Sequence, residues 1–527
     1  MVVSHRGIAA TSHPFASQAG AQVLARGGSA VDAAIAANAV LGVVEPMSCG
    51  IGGDLFVLYW EAKSGKLWGL NGSGPAPRAL SPAFLNAQGF PTMPIGGIHA
   101  VTVPGAVDGW SKMHSRFGRL PWADLFLPAI THATEGYPVT ETIAEHWNSS
   151  PSVAKLVATP EASRVFLPSG CPPREGEIMR NPDLARACQL IAREGPGAFY
   201  KSEIAQAILR TSQSFGGTMT AHDLAAFSAE FVEPIGTDYR GWRVWELPPN
   251  GQGMAALMML NIMETQPACA AGPFATAEWH KRIEAMKLAY ADLHRFNADP
   301  QMSRVPVAEL LSKDYGRSRA ALINPCAANG SVGPGTPPGS DTVYLTIVDR
   351  EGNIASWIQS IYQNFGSGIA VEGMGFLLQN RGGGFTLDPS HPNVLAGGKR
   401  PFHTIIPGFM ERGGLRMGFG IMGGPNQPQA HAQFVSNFVD YGMNVQRAME
   451  SPRFTKTAPA GFDVAIESRL PLTALQELSA LGHEIALRRP YTQEMGRGQA
   501  ILHDSATGVN YAASDPRADG GAIPEPV

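Results

Sequence analysis

The chain has 527 residues, of which only 40 are Lys or Arg and 44 Asp or Glu, a charged share of 16% against roughly a quarter in an average globular protein. Hydrophobic residues make up 44% and no G-X-Y period occurs, which excludes disorder, coiled coil and collagen-like structure. A formal net charge of -4 removes the usual electrostatic case for nucleic acid or an anionic membrane surface as a partner and leaves a small molecule as the expected one.

Sixty Gly and 42 Pro amount to about a fifth of the chain, where average usage gives about 12%. They point to tight turns, close backbone packing and long ordered loops, since Gly admits positive φ and Pro fixes it. Low charge fits one large body, whose surface per residue shrinks as the core grows. The five cysteines (Cys49, Cys171, Cys188, Cys269, Cys326) are dispersed and show no CxxC spacing, so neither a disulfide framework nor a zinc knuckle is expected. Residues 1–20 lack the apolar run of a signal peptide, and the longest apolar stretch, 31–44, is interrupted by Asp32 and Asn38 and is too short to span a bilayer. A cytoplasmic protein is expected, unless a leader has been removed.

Residues 29–44 are Ala-rich and apolar nearly all round, with Ser29 and Asp32 placed to cap a buried helix. A Gly-rich turn through Gly50, Gly52 and Gly53 then feeds a strand at 55–60; a dinucleotide fingerprint needs the opposite order, strand before glycines. Helical patterns recur at 121–136, 181–194, 202–212 and 277–296, and strands are expected to dominate after residue 340. The main compositional break is 324–341, where Gly and Pro forbid a helix or central strand. A β-branched strand from Thr342 to Val348, a turn at 349–353 and a second strand to Ser360 follow as a hairpin. With the turn centred on Glu351, Thr342 falls opposite Ser360, so two hydroxyls meet beside the linker.

A linker that ends at a Thr opening a strand suits a self-cleaving N-terminal nucleophile hydrolase. The Thr342 hydroxyl attacks the Asp341 carbonyl, hydrolysis of the ester frees the Thr α-amine, and that amine serves the hydroxyl as general base. Its ordinary pKa of about 7.7–8 lets it accept a proton near neutrality. No HExxH or CxxC cluster, phosphate loop or GxSxG elbow competes with this reading, and neither metal nor cofactor is expected.

The motifs Gly27-Gly28-Ser29-Ala30-Val31-Asp32, Glu45-Pro46, Gly50-Ile51-Gly52-Gly53, Val103-Pro104-Gly105, Phe117-Gly118-Arg119-Leu120-Pro121-Trp122, Lys399-Arg400-Pro401, Gly423-Gly424 and Ser514-Asp515-Pro516-Arg517 occur in an order that spans nearly the whole chain. In them the chain resembles the γ-glutamyltranspeptidase family. The resemblance implies an α+β, four-layer αββα sandwich and a proenzyme cut between Asp341 and Thr342. The large fragment 1–341 and small fragment 342–527 then remain one body, a heterodimer from one precursor. Thr342 would be the nucleophile and base, Ser360 would stand where the family has a second Thr, and Gly423 and Gly424 would form the oxyanion hole.

Where the family holds the γ-glutamyl α-carboxylate with an Arg, this chain has Ser73; where it grips the α-amine with an Asp, Gly384 stands; its paired serines fall at His403 and Thr404. Tyr362, Arg381, His403 and Thr404 join Ser73 and Gly384 as candidate substrate-binding residues. Arg381, with Arg78 as the alternative, could clamp a carboxylated acyl group such as glutaryl or oxamyl. The segment 385–399 is short where relatives carry a lid, which favours water over an amine acceptor. These features resemble the cephalosporin-acylase-like and oxamate-amidohydrolase-like branches more than the glutathione-cleaving one. The implied function is amide hydrolysis through an acyl-Thr342, on a γ-glutamyl or another small carboxylated acyl amide. The non-enzyme alternative is an inactive binding homologue.

Overall fold

A computed structural model describes residues 1–332 and 342–527; Asp341 and the later part of the Gly/Pro linker lie outside the described residues. Two seven-stranded sheets, antiparallel throughout, form the centre. One runs Gly521–Pro524, Ile8–Thr11, Val343–Val348, Ile354–Ser360, Asp54–Glu61, Lys66–Gly72, Glu230–Val232. The other runs Val2–Ser4, Val509–Ser514, Arg497–Asp504, Leu415–Met422, Gly408–Arg412, Trp242–Glu246, Ile235–Tyr239. Each sheet therefore interleaves strands from both sides of residue 341.

Three buried cores define the layers. Tyr344, Phe56 and Ile358 of the first sheet meet Phe409, Met422 and Ile501 of the second between the sheets. The outer face of the first sheet packs on helices that include Pro14–Ala25 and Ala30–Val44. That of the second packs on Gly253–Glu264, Thr276–Phe296 and Gln427–Tyr441. The result is the αββα sandwich, because a sheet with two apolar faces must cover both.

Ala30–Val44 starts as its residues dictate: Ser29 Oγ accepts from Asp32 N, and the Asp32 carboxylate accepts from Ser29 N. Pro182–Glu194, Glu203–Ser214 and Thr276–Phe296 lie where periodicity puts them. The 121–136 stretch divides, a 3₁₀ turn Trp122–Phe126 giving way to the helix Leu127–Glu135, which has Pro in its first turn. Two helices are not legible as such in the sequence. Gly253–Glu264 is buried along nearly all its length and so lacks an amphipathic period, and Gln427–Tyr441 is a long helix within the region after residue 340 where strands otherwise dominate, as expected. Its Pro428 reads as a breaker but occupies the first turn, where Pro costs nothing.

Glycines bring the sheets unusually close over the hairpin. A Cβ on Gly418 would stand 2.6 Å from Thr346 Oγ1, and one on Gly420 would collide with the Tyr344 ring. Only Gly permits this approach. Stepping two residues further along both strands places Met422 over Thr342, with Gly423 and Gly424 just beyond.

Candidate active site

Hairpin register pairs Val343 with Gln359 and Tyr344 with Ile358, so Thr342 stands opposite Ser360 one step on. Ser360 pairs with Asp54 on the next strand, and the Leu55–Gly72 pair puts Asp54 opposite Ser73. Thr342, Ser360, Asp54 and Ser73 thus form one row across four strands, all buried. The Thr342 hydroxyl donates to Ser360 Oγ at 3.1 Å, and Ser360 Oγ also accepts from Tyr362 N at 2.8 Å and Arg381 Nη2 at 3.2 Å.

Arg381 opens a 3₁₀ turn, Arg381–Gly384, and its backbone N–H donates to Gln379 Oε1. The side chain is fully buried; Nη1 donates to Thr404 Oγ1 at 2.7 Å, and the guanidinium lies 4.2 Å from the centre of the Tyr362 ring. Tyr362 supplies that platform with a φ of 80°, a conformation rare outside Gly, so the backbone there is held against local preference. Among the described residues no carboxylate lies within 4 Å of the guanidinium, and Arg381 Nε has no hydrogen-bond partner. Burial pushes the Arg381 pKa down to about 10, against the pull of Tyr362 and Asp54.

Asp54 is the residue that pattern reading misses, since an acid after a glycine run looks like a turn. It is fully buried: Oδ1 accepts from Gly74 N at 3.3 Å and Gly105 N at 3.2 Å, and Oδ2 meets His403 Nε2 at 3.0 Å. Burial raises its pKa to about 7 despite the nearby Arg381 charge. His403 Nδ1 accepts from Ile405 N at 3.3 Å, which assigns the proton to Nε2. Burial first, and Arg381 second, hold His403 well below the usual imidazole range, so the ring is neutral.

Ser73 is tied to Asn71 and Asn250: its hydroxyl donates to Asn71 Oδ1 at 2.8 Å and accepts from Asn250 Nδ2 at 3.1 Å. A Cβ on Gly384 would stand 2.6 Å from the Phe402 carbonyl oxygen, so this backbone leaves no room there for a longer side chain. Arg78 is mostly exposed and faces Asp223, away from the row.

Gly423 and Gly424 follow the strand Leu415–Met422 with φ of 141° and 58° and lead into Gln427–Tyr441, whose N-terminus adds a positive end. Several side chains fix this turn. Gln252 Nε2 donates to Gly424 O at 2.7 Å and to Thr404 O at 2.6 Å, clipping the oxyanion candidates to the Arg381 side. Tyr290 donates to the Pro425 carbonyl. His431 Nε2 accepts from Ile421 N at 3.1 Å while Nδ1 meets Glu246 Oε1 at 2.7 Å. Asn250, Gln252 and Glu246 come from remote sequence and carried no signal of their own. A cavity of about 730 Å³ opens beside Met422 and Gly423, with Lys155, Gln363, Lys456 and Arg497 on its wall.

His280, Glu284 and His483 bring ligand-type atoms within 4.8 Å of one another. Most of those atoms are already hydrogen-bonded, two of them to each other: His280 Nδ1 to His483 Nε2 at 2.8 Å, His280 Nε2 to Asn324 O at 2.8 Å, and Glu284 to Lys287 at 2.7 Å. With Lys287 donating to Asn329 O at 3.0 Å, the cluster anchors the start of the linker.

Comparison with known proteins agrees with this fold. The family profile described as Gamma-glutamyltranspeptidase matches residues 16–525. The chain belongs to the γ-glutamyltranspeptidase family and is an N-terminal nucleophile amidohydrolase. It is 35% identical to the glutathione hydrolase-like YwrD proenzyme of Bacillus subtilis, with 99% of each chain covered. It is 33% identical to the oxamate amidohydrolase proenzyme of Klebsiella pneumoniae, covering 99% of this chain and 98% of that one. The crystal structure of cephalosporin acylase from Bacillus halodurans superposes with a TM-score of 0.93 at 42% identity, over 99% of this chain and 96% of that one. No helix among the described residues is long and apolar enough to cross a membrane.

Proposed function

We propose that the chain cuts itself before Thr342 and then hydrolyses amides whose acyl group carries a carboxylate. The observation that carries this is Arg381: a fully buried guanidinium, with no carboxylate in contact among the described residues, one hydroxyl away from the nucleophile. An uncompensated buried charge costs several kcal/mol, and a substrate carboxylate would offset it with two charge-assisted hydrogen bonds. The relative named for oxamate supports the reading, because oxamate is itself an amide with a carboxylate on its acyl side.

In self-cleavage the Thr342 hydroxyl adds to the Asp341 carbonyl and the C–N bond breaks, leaving an ester and a free α-amine; water then releases the Asp341 carboxylate. In turnover the amine takes the Thr342 proton as Oγ1 attacks the substrate carbonyl. The Gly423 and Gly424 N–H groups stabilise the oxyanion, the amine returns the proton to the leaving nitrogen, and water hydrolyses the acyl ester. The open cavity beside Gly423 admits water and a bulky leaving group, favouring hydrolysis over transfer. A γ-glutamyl substrate is served less well, since Ser73 offers no charge and its hydrogen bonds are made internally.

The test is kcat/KM of Arg381→Ala on matched anionic and neutral amides, with the Thr342 peptide trapped as an acyl ester by mass spectrometry. Loss confined to the anionic amide is expected, by about 10- to 100-fold. Equal losses on both would overturn the clamp.

A further inference from the structure

The loop between the strand Ile354–Ser360 and the Arg381 turn is held in a shape its residues do not favour. Tyr362, Phe365, Gly366 and Gly368 take φ of 80°, 57°, 52° and 78°, and the first two carry side chains that resist this region. Such a backbone persists only where its surroundings impose it. We infer that Lys155 imposes it, and so acts as a positioning residue for the acyl site; this rests on Arg381 as the anion site proposed above.

The loop reaches the chemistry through Tyr362. Its N–H donates to Ser360 Oγ at 2.8 Å, the oxygen that also accepts from Thr342, and its ring lies 4.2 Å from the Arg381 guanidinium. A ring face attracts a cation only while it stays beneath it. A displaced loop therefore takes the platform from under the guanidinium.

Farther along, the carbonyls of Asn364 and Gly366 receive no backbone N–H among the described residues. Lys155 Nζ donates to both, at 2.7 and 2.9 Å. It extends from the helix Ser150–Val157, and one turn on Thr159 Oγ1 donates to Gly368 O at 3.0 Å. Three loop carbonyls thus hang on two nearby side chains. The Phe365 ring, fully buried, packs on Trp147 and Phe166 with centroids 5.7 and 5.9 Å away, so the neighbouring helices Glu141–Trp147 and Pro160–Phe166 grip the loop as well. A Cβ on Gly368 would stand 2.7 Å from Lys155 Cγ, and glycine there lets the lysine stem lie along the loop.

The charge matters as much as the reach. Among the described residues Lys155 pairs with no carboxylate, and burial alone pushes its pKa down to about 8. Its attraction is directed at the two carbonyls, and charge-assisted bonds of this kind are roughly twice as strong as neutral ones. Lys155 also stands on the wall of the cavity beside Gly423, so the rival role is direct contact with a leaving group.

The experiment compares processed wild type, Lys155→Met and Lys155→Arg on two substrate pairs. Malonamate and acetamide share ammonia as leaving group and differ in the charge of the acyl side. The malonyl amides of p-aminobenzoate and of aniline share the acyl group and differ in the charge of the leaving side. Lys155→Met keeps the stem and removes the ammonium. It should unfold cooperatively, lower the malonamate-to-acetamide ratio of kcat/KM about tenfold, and leave the ratio of the second pair unchanged. Lys155→Arg, with charged donors of its own, should recover most of the lost ratio. An unchanged first ratio in Lys155→Met would overturn the inference and leave the Arg381 clamp standing. A wild type with no preference for malonamate over acetamide would overturn the clamp itself. A loss that follows leaving-group charge would assign Lys155 to the ligand and not to the loop. If Lys155→Met does not fold, Thr159→Val decides: it removes only the bond to Gly368 O, a fall of about threefold in the first ratio is expected, and no fall sinks the inference.

Discussion

His403 donates its Nε2 proton to Oδ2 of Asp54 across 3.0 Å, in a pair sealed from solvent beside the Arg381 guanidinium. Asp54 is pushed up to about 7, so it changes charge within the working pH range. Ionised, it offsets part of the Arg381 charge that a substrate carboxylate seeks; protonated, it leaves that charge unopposed. The ratio of kcat/KM for malonamate to that for a neutral amide should rise about threefold or more from pH 8 to pH 6. Taking the ratio cancels titration of the Thr342 amine, which both substrates share. In Asp54→Asn the ratio should be flat with pH.

The same carboxyl should leave a mark on stability. Its folded pKa of about 7 lies above its ordinary 3.8, so between those values the folded state holds a proton that the unfolded state has lost. Stability from this group is then full below pH 4, falls as pH rises, and levels off above pH 7. Urea melts of wild type and Asp54→Asn should differ by an amount that changes by up to about 4 kcal/mol across that window, wild type losing as pH rises.

Gly424→Ala should damage catalysis more than folding. Gly424 sits at φ 58°, and an L side chain there costs about 1 kcal/mol or more. A slight turn of the backbone would take the proposed oxyanion donor out of line, and one lost donor of that kind lowers kcat about 100-fold. The expected result is a cooperative melt a few degrees below wild type, near-normal KM and a collapsed kcat.

Lys287→Met tests the linker anchor. Lys287 is buried and donates to Glu284 and to Asn329 O. Removing it strands a buried carboxylate, which costs about 3–5 kcal/mol. Differential scanning calorimetry should show a large drop in Tm, while mature enzyme that survives keeps its kcat, because the cluster touches none of the row residues.

How much of this is written in the sequence depends on how local each signal is. The Thr342–Ser360 pairing is legible because alternation and turn length fix a hairpin by themselves. The Ala30–Val44 helix is legible from Ser29 and Asp32, three residues apart. Arg381, Tyr362 and Thr404 are visible as unusual residues, but their meeting under one ring is not. Asp54 hides at the end of a glycine run, and its purpose appears only when His403, 349 residues away, is brought to it. Gln252 and Glu246 act on the Gly423–Gly424 turn from the opposite side of residue 341, and nothing in their neighbours hints at it. Helix Gln427–Tyr441 is masked by Pro428, whose effect reverses between the first turn of a helix and its interior.

The interleaving of strands has a consequence for how the enzyme is made and unmade. Val343–Val348 is hydrogen-bonded between Ile8–Thr11 and its own hairpin partner, and that partner in turn to Asp54–Glu61. A cut before Thr342 leaves two chains that share every core and own none. Such pieces would be woven rather than docked: strands of each lie hydrogen-bonded between strands of the other in both sheets, so parting them means breaking both sheets.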